Sequence, residues 1–253
     1  MMKSAGVYLI GGQSNALGVS PCAGLPAGFE YNGNALIYQS GAFKGALAVD
    51  PAVCGRFIPV IAGLGYSAEF FGLELGMAAG FADRQVFLIK YACDGTSLHE
   101  EWRPPSAGDI GEHYRGFIVC VNNGLTELKR AYNLIPRLCG LAWMQGESDA
   151  INDERAAAYE SNLTALINDI RAELNSPGLP VAIGQILAGK VKPYAETVRA
   201  AQAAVAKNVR RTVLVETNGL ETAPGDPWHF SARSELELGK RFASALSNIK
   251  GKY

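Results

Sequence analysis

The 253-residue chain lacks the features that define several large protein classes. It contains no apolar run approaching the ~20 residues needed to span a membrane. Its 23 Lys and Arg residues nearly balance 24 Asp and Glu residues, and no basic cluster stands out. We therefore expect neither nucleic acid nor a membrane as a partner. Residues 7–10 form too short an apolar run for a signal-peptide core of roughly 7–15 residues, which predicts a cytoplasmic protein or one whose leader has been removed.

Cysteine and histidine are scarce and are poorly spaced for metal binding. The five cysteines are scattered, odd in number and without a CxxC pair, which favours reduced thiols over a zinc site. Of the five, Cys93 is the one that lies near a candidate site. The three histidines are His99, His113 and His229, so any chemistry that needs an imidazole has three candidates.

Hydrophobic residues make up 48% of the chain, enough for one large core. Apolar runs typical of strands alternate with stretches of helical periodicity from one end to the other. This order predicts parallel strands, right-handed crossovers and helices on both faces of one sheet. No repeat, low-complexity tract or interdomain linker is visible. The sequence therefore predicts a single domain over residues 1–253, a three-layer α/β/α sandwich with a central, mostly parallel sheet.

Individual elements can be placed approximately. Strands are predicted at residues 7–10, 35–38, 86–92, 138–144, 181–187 and 212–215. Helices are predicted to begin near residues 67, 112, 153, 195 and 231. The segment 57–62 is an uncertain strand because Pro59 disfavours a central position in a sheet. Residues 20–57, rich in Gly, Pro and Asn, are expected to form a long irregular excursion, a kind of loop that is often functional.

Polar residues and glycines gather where the predicted strands end, the place where ligands bind in open α/β sheets. Ser14 follows the first strand and two glycines, in a turn that leads into a helix. Such a turn exposes a serine hydroxyl beside helix N-terminal N–H groups, as a nucleophile requires. The alternative is that Ser14 only caps the helix.

A nucleophilic serine needs a base with an orienting acid. Asp226 precedes His229 by three residues, a spacing that can hold the imidazole Nδ1 and leave Nε2 free for the serine. The alternative is an ordinary helix-entry cap. His99 lies in an acidic loop, and His113 is expected to be solvated in the first turn of a helix.

The same chemistry needs donors that stabilise an oxyanion. Gly65 is a candidate because a glycine N–H is open to approach, and Gln145 is a candidate because its side chain carries an NH₂ group. The alternatives are turn geometry for the glycine and a capping role for the glutamine. Gly63 competes with Gly65 for the donor role.

Taken together, these motifs resemble those of the SGNH/GDSL hydrolase superfamily. Within it, the chain is similar to the carbohydrate esterases related to sialate O-acetylesterase and acetyl xylan esterase. A lone GQSN is a weak signal, but these motifs in order at predicted strand ends are specific, and they span nearly the whole chain. The motifs are Gly12-Gln13-Ser14-Asn15, Gly63-Leu64-Gly65, Gly95-Thr96-Ser97, Gln145-Gly146-Glu147-Ser148-Asp149 and Asp226-Pro227-Trp228-His229-Phe230.

The resemblance implies a flavodoxin-like SGNH hydrolase fold and ester hydrolysis without metal or other cofactor. It implies that Ser14 is the nucleophile, His229 the base and Asp226 its orienting acid. The implied oxyanion donors are the backbone N–H groups of Ser14 and Gly65 together with the Gln145 side chain.

Four further residues are expected to support the site or bind substrate: Gln13, Asn15, Glu147 and Trp102. Glu147 is expected to orient Gln145 or the turn that bears it. Trp102, with Tyr66 and Trp228, is a candidate stacking surface for a sugar ring, although packing is the commoner role of such aromatic residues.

Two positions depart from the family pattern. Tyr66 stands where many relatives have proline, and this leaves the choice between Gly63 and Gly65 open. Asp94 stands where small residues are commoner, and its carboxylate either favours hydroxyl-rich substrates or is simply solvated.

The sequence thus predicts an enzyme, a serine esterase that removes O-acetyl groups from a carbohydrate such as sialic acid or xylan. A general short-chain carboxylesterase is an alternative, as is a catalytically silent glycan-binding module of a larger surface or phage assembly. The expected partner is an O-acetylated carbohydrate, and the sequence indicates neither which sugar nor which oligomeric state.

Overall fold

The computed structural model describes residues 3–31, 33–40, 51–81 and 83–249. Within these ranges the strands are β1 (Lys3–Gly12), β2 (Ser20–Pro21), β3 (Leu36–Tyr38), β4 (Phe57–Pro59), β5 (Phe70–Phe71), β6 (Phe87–Ala92), β7 (Leu134–Met144), β8 (Val181–Gly184) and β9 (Thr212–Val215). The helices are α1 (Ser14–Leu17), α2 (Leu73–Gly80), α3 (Glu112–Tyr132), α4 (Asp153–Glu173), α5 (Ala195–Asn208) and α6 (Ala232–Asn248). None of these helices combines the length and apolar character needed to cross a bilayer.

The main sheet has the strand order β4-β3-β6-β1-β7-β8-β9. All neighbours pair in parallel except β4, which runs antiparallel to β3 at the edge of the sheet. The five strands β6-β1-β7-β8-β9 have the 2-1-3-4-5 order of flavodoxin-like folds. The predicted mostly parallel sheet is confirmed. Pro59 lies in the edge strand, where its missing N–H costs fewer ladder bonds.

The three central strands end at the same level. Gly12, at the end of β1, is in register with Ala92 at the end of β6 and with Met144 at the end of β7. The loops that follow these strands therefore begin side by side, on either side of the point where the strand order reverses. Crevices at such points are where open α/β sheets bind ligands.

Helices cover both faces of the sheet. On one face α3 packs against β6 and β7, and on the other α6 packs against β7, β8 and β9. The helices α2 and α6 approach closely because glycines face each other. A Cβ added to Gly239 would lie 2.6 Å from the Gly76 Cα, so any side chain there would force the two helices apart. This contact fixes α6, which begins just after His229.

One predicted helix start is wrong. Residues near Ser67 do not open a helix, because Phe70–Phe71 instead pairs with Ser20–Pro21 as a small antiparallel sheet. The helix α2 begins at Leu73, after an extended Gly72. The predicted excursion 20–57 is largely irregular where it is described, and residues 41–50 lie outside the described residues.

Candidate active site

The turn after β1 presents Ser14 at the carboxyl edge of the sheet. Gly12 has φ of 141°, and a Cβ there would lie 1.9 Å from the Met144 carbonyl oxygen, so only glycine fits. Gln13 occupies the N-cap position and Ser14 is the first helical residue of α1. The helix-cap alternative for Ser14 is therefore wrong. Its side chain lines a cavity of about 290 Å³.

His229 lines the same cavity and is held by Asp226. The imidazole Nδ1 lies 2.6 Å from Asp226 Oδ2, and Asp226 Oδ1 accepts the backbone N–H groups of Trp228 (2.7 Å) and His229 (3.1 Å). Partial burial raises the pKa of Asp226, but these hydrogen bonds outweigh it and hold the net pKa below its ordinary value. An ionised carboxylate on Nδ1 leaves Nε2 as the free nitrogen.

Asn15 joins the serine turn to the histidine turn. Its Nδ2 donates to Glu147 Oε1 (2.6 Å) and to the Trp228 carbonyl oxygen (3.1 Å), and its Oδ1 accepts the Phe230 N–H (3.3 Å). Because Trp228 and Phe230 flank His229, one buried amide fixes the imidazole-bearing backbone relative to α1. The structure thus gives Asn15 a supporting position.

Glu147 is buried and serves Asn15 rather than Gln145. Its Oε2 has no hydrogen-bond partner among the described residues, although the residue lines the cavity. Burial raises the pKa of Glu147, and the bond from Asn15 partly opposes the shift. The expectation that Glu147 orients the Gln145 side chain is wrong, since Asp149 Oδ2 accepts from Gln145 Nε2 at 2.6 Å.

The Gln145 amide is engaged inside the protein. The side chain is fully buried, and its Nε2 also donates to Gln13 Oε1 (3.1 Å) and the Thr96 carbonyl oxygen (3.1 Å). With Asp149, three acceptors surround an NH₂ group that has two hydrogens, so no N–H remains for an oxyanion. Gln145 therefore does not match its expected role of donor to the substrate, and Gln13 contributes as an internal acceptor.

Gly65 also differs from its expected role. Its N–H donates to the Phe70 carbonyl oxygen (2.9 Å), and a Cβ there would lie 2.3 Å from the Gly18 carbonyl oxygen. The physical reason lies in the sheet: β4, which precedes Gly65, is antiparallel, so its carboxyl end lies at the edge opposite to the site. Neither Gly65 nor Gly63 lines the cavity.

Gly95 occupies the place that was expected for Gly65. It follows β6, the direct neighbour of β1, and lines the cavity with Ser14. It has φ of 69° and open space beside it, so its backbone can be approached. The Gly-Thr-Ser motif directly after a buried strand was the sequence signal for this residue.

Trp102 is a core residue and cannot stack on a sugar. It is fully buried, its ring centroid is 5.0 Å from that of Trp143, and its indole N–H donates to Thr96 Oγ1 (2.9 Å). The packing alternative is therefore correct for Trp102. Of the other two aromatic candidates, Trp228 lines the cavity and Tyr66 does not.

Three other residues from the sequence analysis lie outside the cavity lining. His113 is buried, and its Nδ1 lies 3.1 Å from the Tyr91 hydroxyl oxygen, so the prediction that it is solvated is wrong. Burial lowers the pKa of His113. His99 is half-buried, and its backbone N–H donates to Asp149. Burial raises the pKa of the Cys93 thiol to about 11, which disfavours a reactive thiolate.

Two buried lysines beneath the site had no place in the sequence prediction. Lys90 Nζ donates to the Leu17 carbonyl oxygen (2.8 Å), at the end of α1, and to Glu74 Oε2 (2.7 Å). Lys192 Nζ donates to the Pro227 carbonyl oxygen (3.0 Å), in the turn that bears His229. A charged residue inside the apolar run 86–92 was the one available signal for the first.

Fold and site together define a hydrolase-like α/β protein with a serine and an Asp–His pair at the carboxyl edge of its sheet. The family model described as carbohydrate esterase, sialic acid-specific acetylesterase matches residues 4–248, and the chain belongs to this family. The family name denotes carboxylic ester hydrolases that act on carbohydrates.

The chain is also similar to individual proteins. A probable carbohydrate esterase of Arabidopsis thaliana is 31% identical over 151 residues, which cover 53% of this chain and 56% of the relative. A solved structure of an Arabidopsis thaliana protein has a TM-score of 0.76 at 20% identity, and the match covers 98% of this chain and 100% of that one. A carbohydrate acetylesterase from Xanthomonas citri has a TM-score of 0.65 at 19% identity, covering 96% and 56%.

Proposed function

We propose that the protein is a serine esterase that removes O-acetyl groups from a carbohydrate through an acyl-serine intermediate. The observation that carries the proposal is the 2.6 Å contact between His229 Nδ1 and Asp226 Oδ2, with His229 and Ser14 lining one cavity. Membership of the carbohydrate esterase family supports the ester and sugar parts of this reaction. A nucleophile, a base and an oriented acid are the parts that acyl transfer requires.

In the first half of the reaction, Ser14 Oγ forms a bond to the acetyl carbonyl carbon while His229 Nε2 takes the hydroxyl proton. The tetrahedral intermediate then expels the sugar oxygen, which receives that proton from His229. In the second half, a water molecule gives a proton to His229 and attacks the acetyl-serine. Collapse releases acetate and returns the proton to Ser14. Asp226 holds the ring and stabilises the imidazolium in both halves.

The oxyanion donors in this proposal are the backbone N–H groups of Ser14 and Gly95. Ser14 is the first residue of α1, where backbone N–H groups precede the first intrahelical bonds and favour negative charge. Gly95 faces the same cavity from the adjacent strand. Gln145 supports the hole indirectly, because its amide holds Gln13 and the Thr96 carbonyl oxygen in place.

A comparison of acyl chain lengths tests the reaction. We expect 4-nitrophenyl acetate to be hydrolysed faster than the butyrate and much faster than the octanoate, and acetylated glycans to release acetate. Ser14→Ala should remove the activity, whereas Ser161→Ala, at an exposed serine of α4, should not change it.

Two outcomes would contradict the proposal. If the unaltered protein hydrolyses neither 4-nitrophenyl acetate nor an acetylated glycan, the esterase proposal is refuted and the glycan-binding alternative is favoured. If 4-nitrophenyl octanoate is hydrolysed as fast as 4-nitrophenyl acetate and no glycan releases acetate, a general carboxylesterase is favoured.

A further inference from the structure

Two carboxyl side chains, Asp94 and Glu147, line the candidate active-site cavity. Asp94 is exposed where the loop after β6 meets the cavity, and Glu147 lines the cavity from the loop after β7. Glu147 is only 2% exposed, and its Oε2 has no hydrogen-bond partner among the described residues. An unpaired buried carboxyl oxygen beside a site can accept a hydrogen bond from a polar ligand or, when protonated, donate one.

The same lining contains no lysine or arginine among the residues that the structure describes. Lys192 interacts electrostatically with Glu147 and Asp226, but it is a buried residue with 2% exposure. Its Nζ donates to the Pro227 carbonyl oxygen at 3.0 Å and lies 5.0 Å from the centre of the Trp228 ring. These contacts hold the ammonium against the turn that bears His229, and Lys192 does not line the cavity.

We propose that this site selects neutral O-acetylated carbohydrates and discriminates against those that carry a carboxylate. The inference rests on the proposed esterase function and names its substrate class. A substrate carboxylate would lose part of its hydration beside Asp94, and no lysine or arginine among the described lining residues would pair with it. A neutral sugar loses nothing comparable, and its hydroxyls suit acidic oxygen acceptors.

The inference distinguishes this chain from what its family description suggests. Sialic acid bears a carboxylate, so an enzyme built for it gains from a cation near the bound ring, most often an arginine fork. The described cavity offers the opposite charge. Specificity of this kind can arise from repulsion of the wrong ligand as well as from attraction of the right one.

Two matched pairs of substrates isolate the charge. The first pair is 9-O-acetylated sialic acid and its 1-carboxamide; the second is the mono-O-acetylated methyl glucuronide and methyl glucoside. We expect kcat/KM to be about three- to tenfold higher for the neutral member of each hydrolysed pair, the size of one screened like-charge contact. The ratio should shrink in 0.5 M NaCl, because added salt screens exposed charges.

Variants of Asp94 locate the effect. Asp94→Asn should bring the ratio of neutral to anionic kcat/KM towards one, and Asp94→Lys should invert it. Glu160→Gln removes an equal charge from an exposed position on α4 that does not line the cavity, and should leave the ratio unchanged.

The outcomes separate this inference from the function on which it rests. Equal or faster hydrolysis of the anionic members, abolished by Ser14→Ala, would overturn the selectivity and keep the esterase. A ratio that Asp94→Lys does not lower would also overturn it. If none of the four sugar acetates is hydrolysed, or if activity survives Ser14→Ala, the esterase proposal and the selectivity are overturned together.

Discussion

Replacement of Asn15 by alanine tests how the two halves of the candidate active site are held together. The change removes two hydrogen bonds donated by Nδ2, to Glu147 and to the Trp228 carbonyl oxygen, and one accepted from the Phe230 N–H. A buried hydrogen bond contributes about 1 kcal/mol net, and a buried group left without a partner costs about 1–3 kcal/mol. We therefore expect the free energy of unfolding to fall by about 3–5 kcal/mol.

The effect on activity follows from the place of His229 in the chain. Trp228 and Phe230 flank it, so loss of both anchors lets the imidazole drift relative to Ser14. A misplacement of about 1 Å can cost about 10²-fold in rate, and we expect a fall of that order in kcat/KM for 4-nitrophenyl acetate. Urea denaturation followed by circular dichroism gives the stability, and the ester assay is run well below the unfolding transition.

Two further variants sharpen the test. Asn15→Asp keeps the shape and the acceptor for Phe230 but places a second carboxyl against Glu147, so its activity should fall as pH rises and the shared proton is lost. Asn123→Ala, at an exposed position of α3, should change neither quantity. Unchanged stability and kcat/KM in Asn15→Ala would refute the bridging role.

Three other substitutions probe the buried polar groups beneath the site. Glu235 has no partner among the described residues for either carboxyl oxygen, and burial, with the Glu74 charge next, raises its pKa. Because its pKa is raised in the folded state, the free energy of unfolding falls as pH rises above the ordinary carboxyl pKa, by about 1.4 kcal/mol per pH unit until the folded-state pKa is reached. Glu235→Gln should abolish this dependence, which urea titrations between pH 4 and 8 would measure. Lys90→Met leaves Glu74 buried without its cation and should lower the free energy of unfolding by about 3–5 kcal/mol. An unchanged midpoint of urea denaturation would contradict this prediction. Trp102→Phe removes the bond to Thr96 and part of a packed ring, so a thermal melt should show a loss of about 1–3 kcal/mol, whereas KM for a sugar acetate should stay constant; a KM that rises severalfold would reinstate Trp102 as a sugar contact.

The sheet and the Ser14 turn were predictable because each depends on local sequence. Continuous apolar runs indicated the buried strands β6 and β7, and two glycines before a serine indicated a sharp turn at the end of β1. The three-residue spacing of Asp226 and His229 is likewise local. These features need no knowledge of which strands become neighbours.

The assignment of the oxyanion glycine failed because it depends on strand order. Gly65 and Gly95 both follow apolar segments that end in polar, glycine-containing turns. The local differences between them, Pro59 before Gly65 and the Gly-Thr-Ser motif at Gly95, do not by themselves show which segment lies beside β1. The sheet separates them, because β6 pairs in parallel with β1 whereas β4 is an antiparallel edge strand. Burial of Trp102 was equally non-local, since the loop that contains it packs against Trp143 of strand β7.

The Gln-Gly-Glu-Ser-Asp segment after β7 acts chiefly as a scaffold in this structure. The polar side chains of Gln145, Glu147 and Asp149 are buried, and they bond to the segments that follow β1 and β6. Gln145 holds the loops after β1 and β6, Glu147 holds Asn15 in α1, and Asp149 accepts the N–H groups of Leu98 (2.9 Å) and His99 (3.1 Å).

Such a cluster favours one arrangement of the three loops, because a half-satisfied buried network is costly. The cost is visible at Asp149, whose pKa burial raises to about 6 despite the bonds that it accepts. Its contribution to stability therefore weakens as pH rises from the ordinary carboxyl range towards 6. One of the segments that carry the family resemblance thus orders the loops around the candidate site, while the chemistry proposed for the site falls to Ser14, His229 and backbone N–H groups.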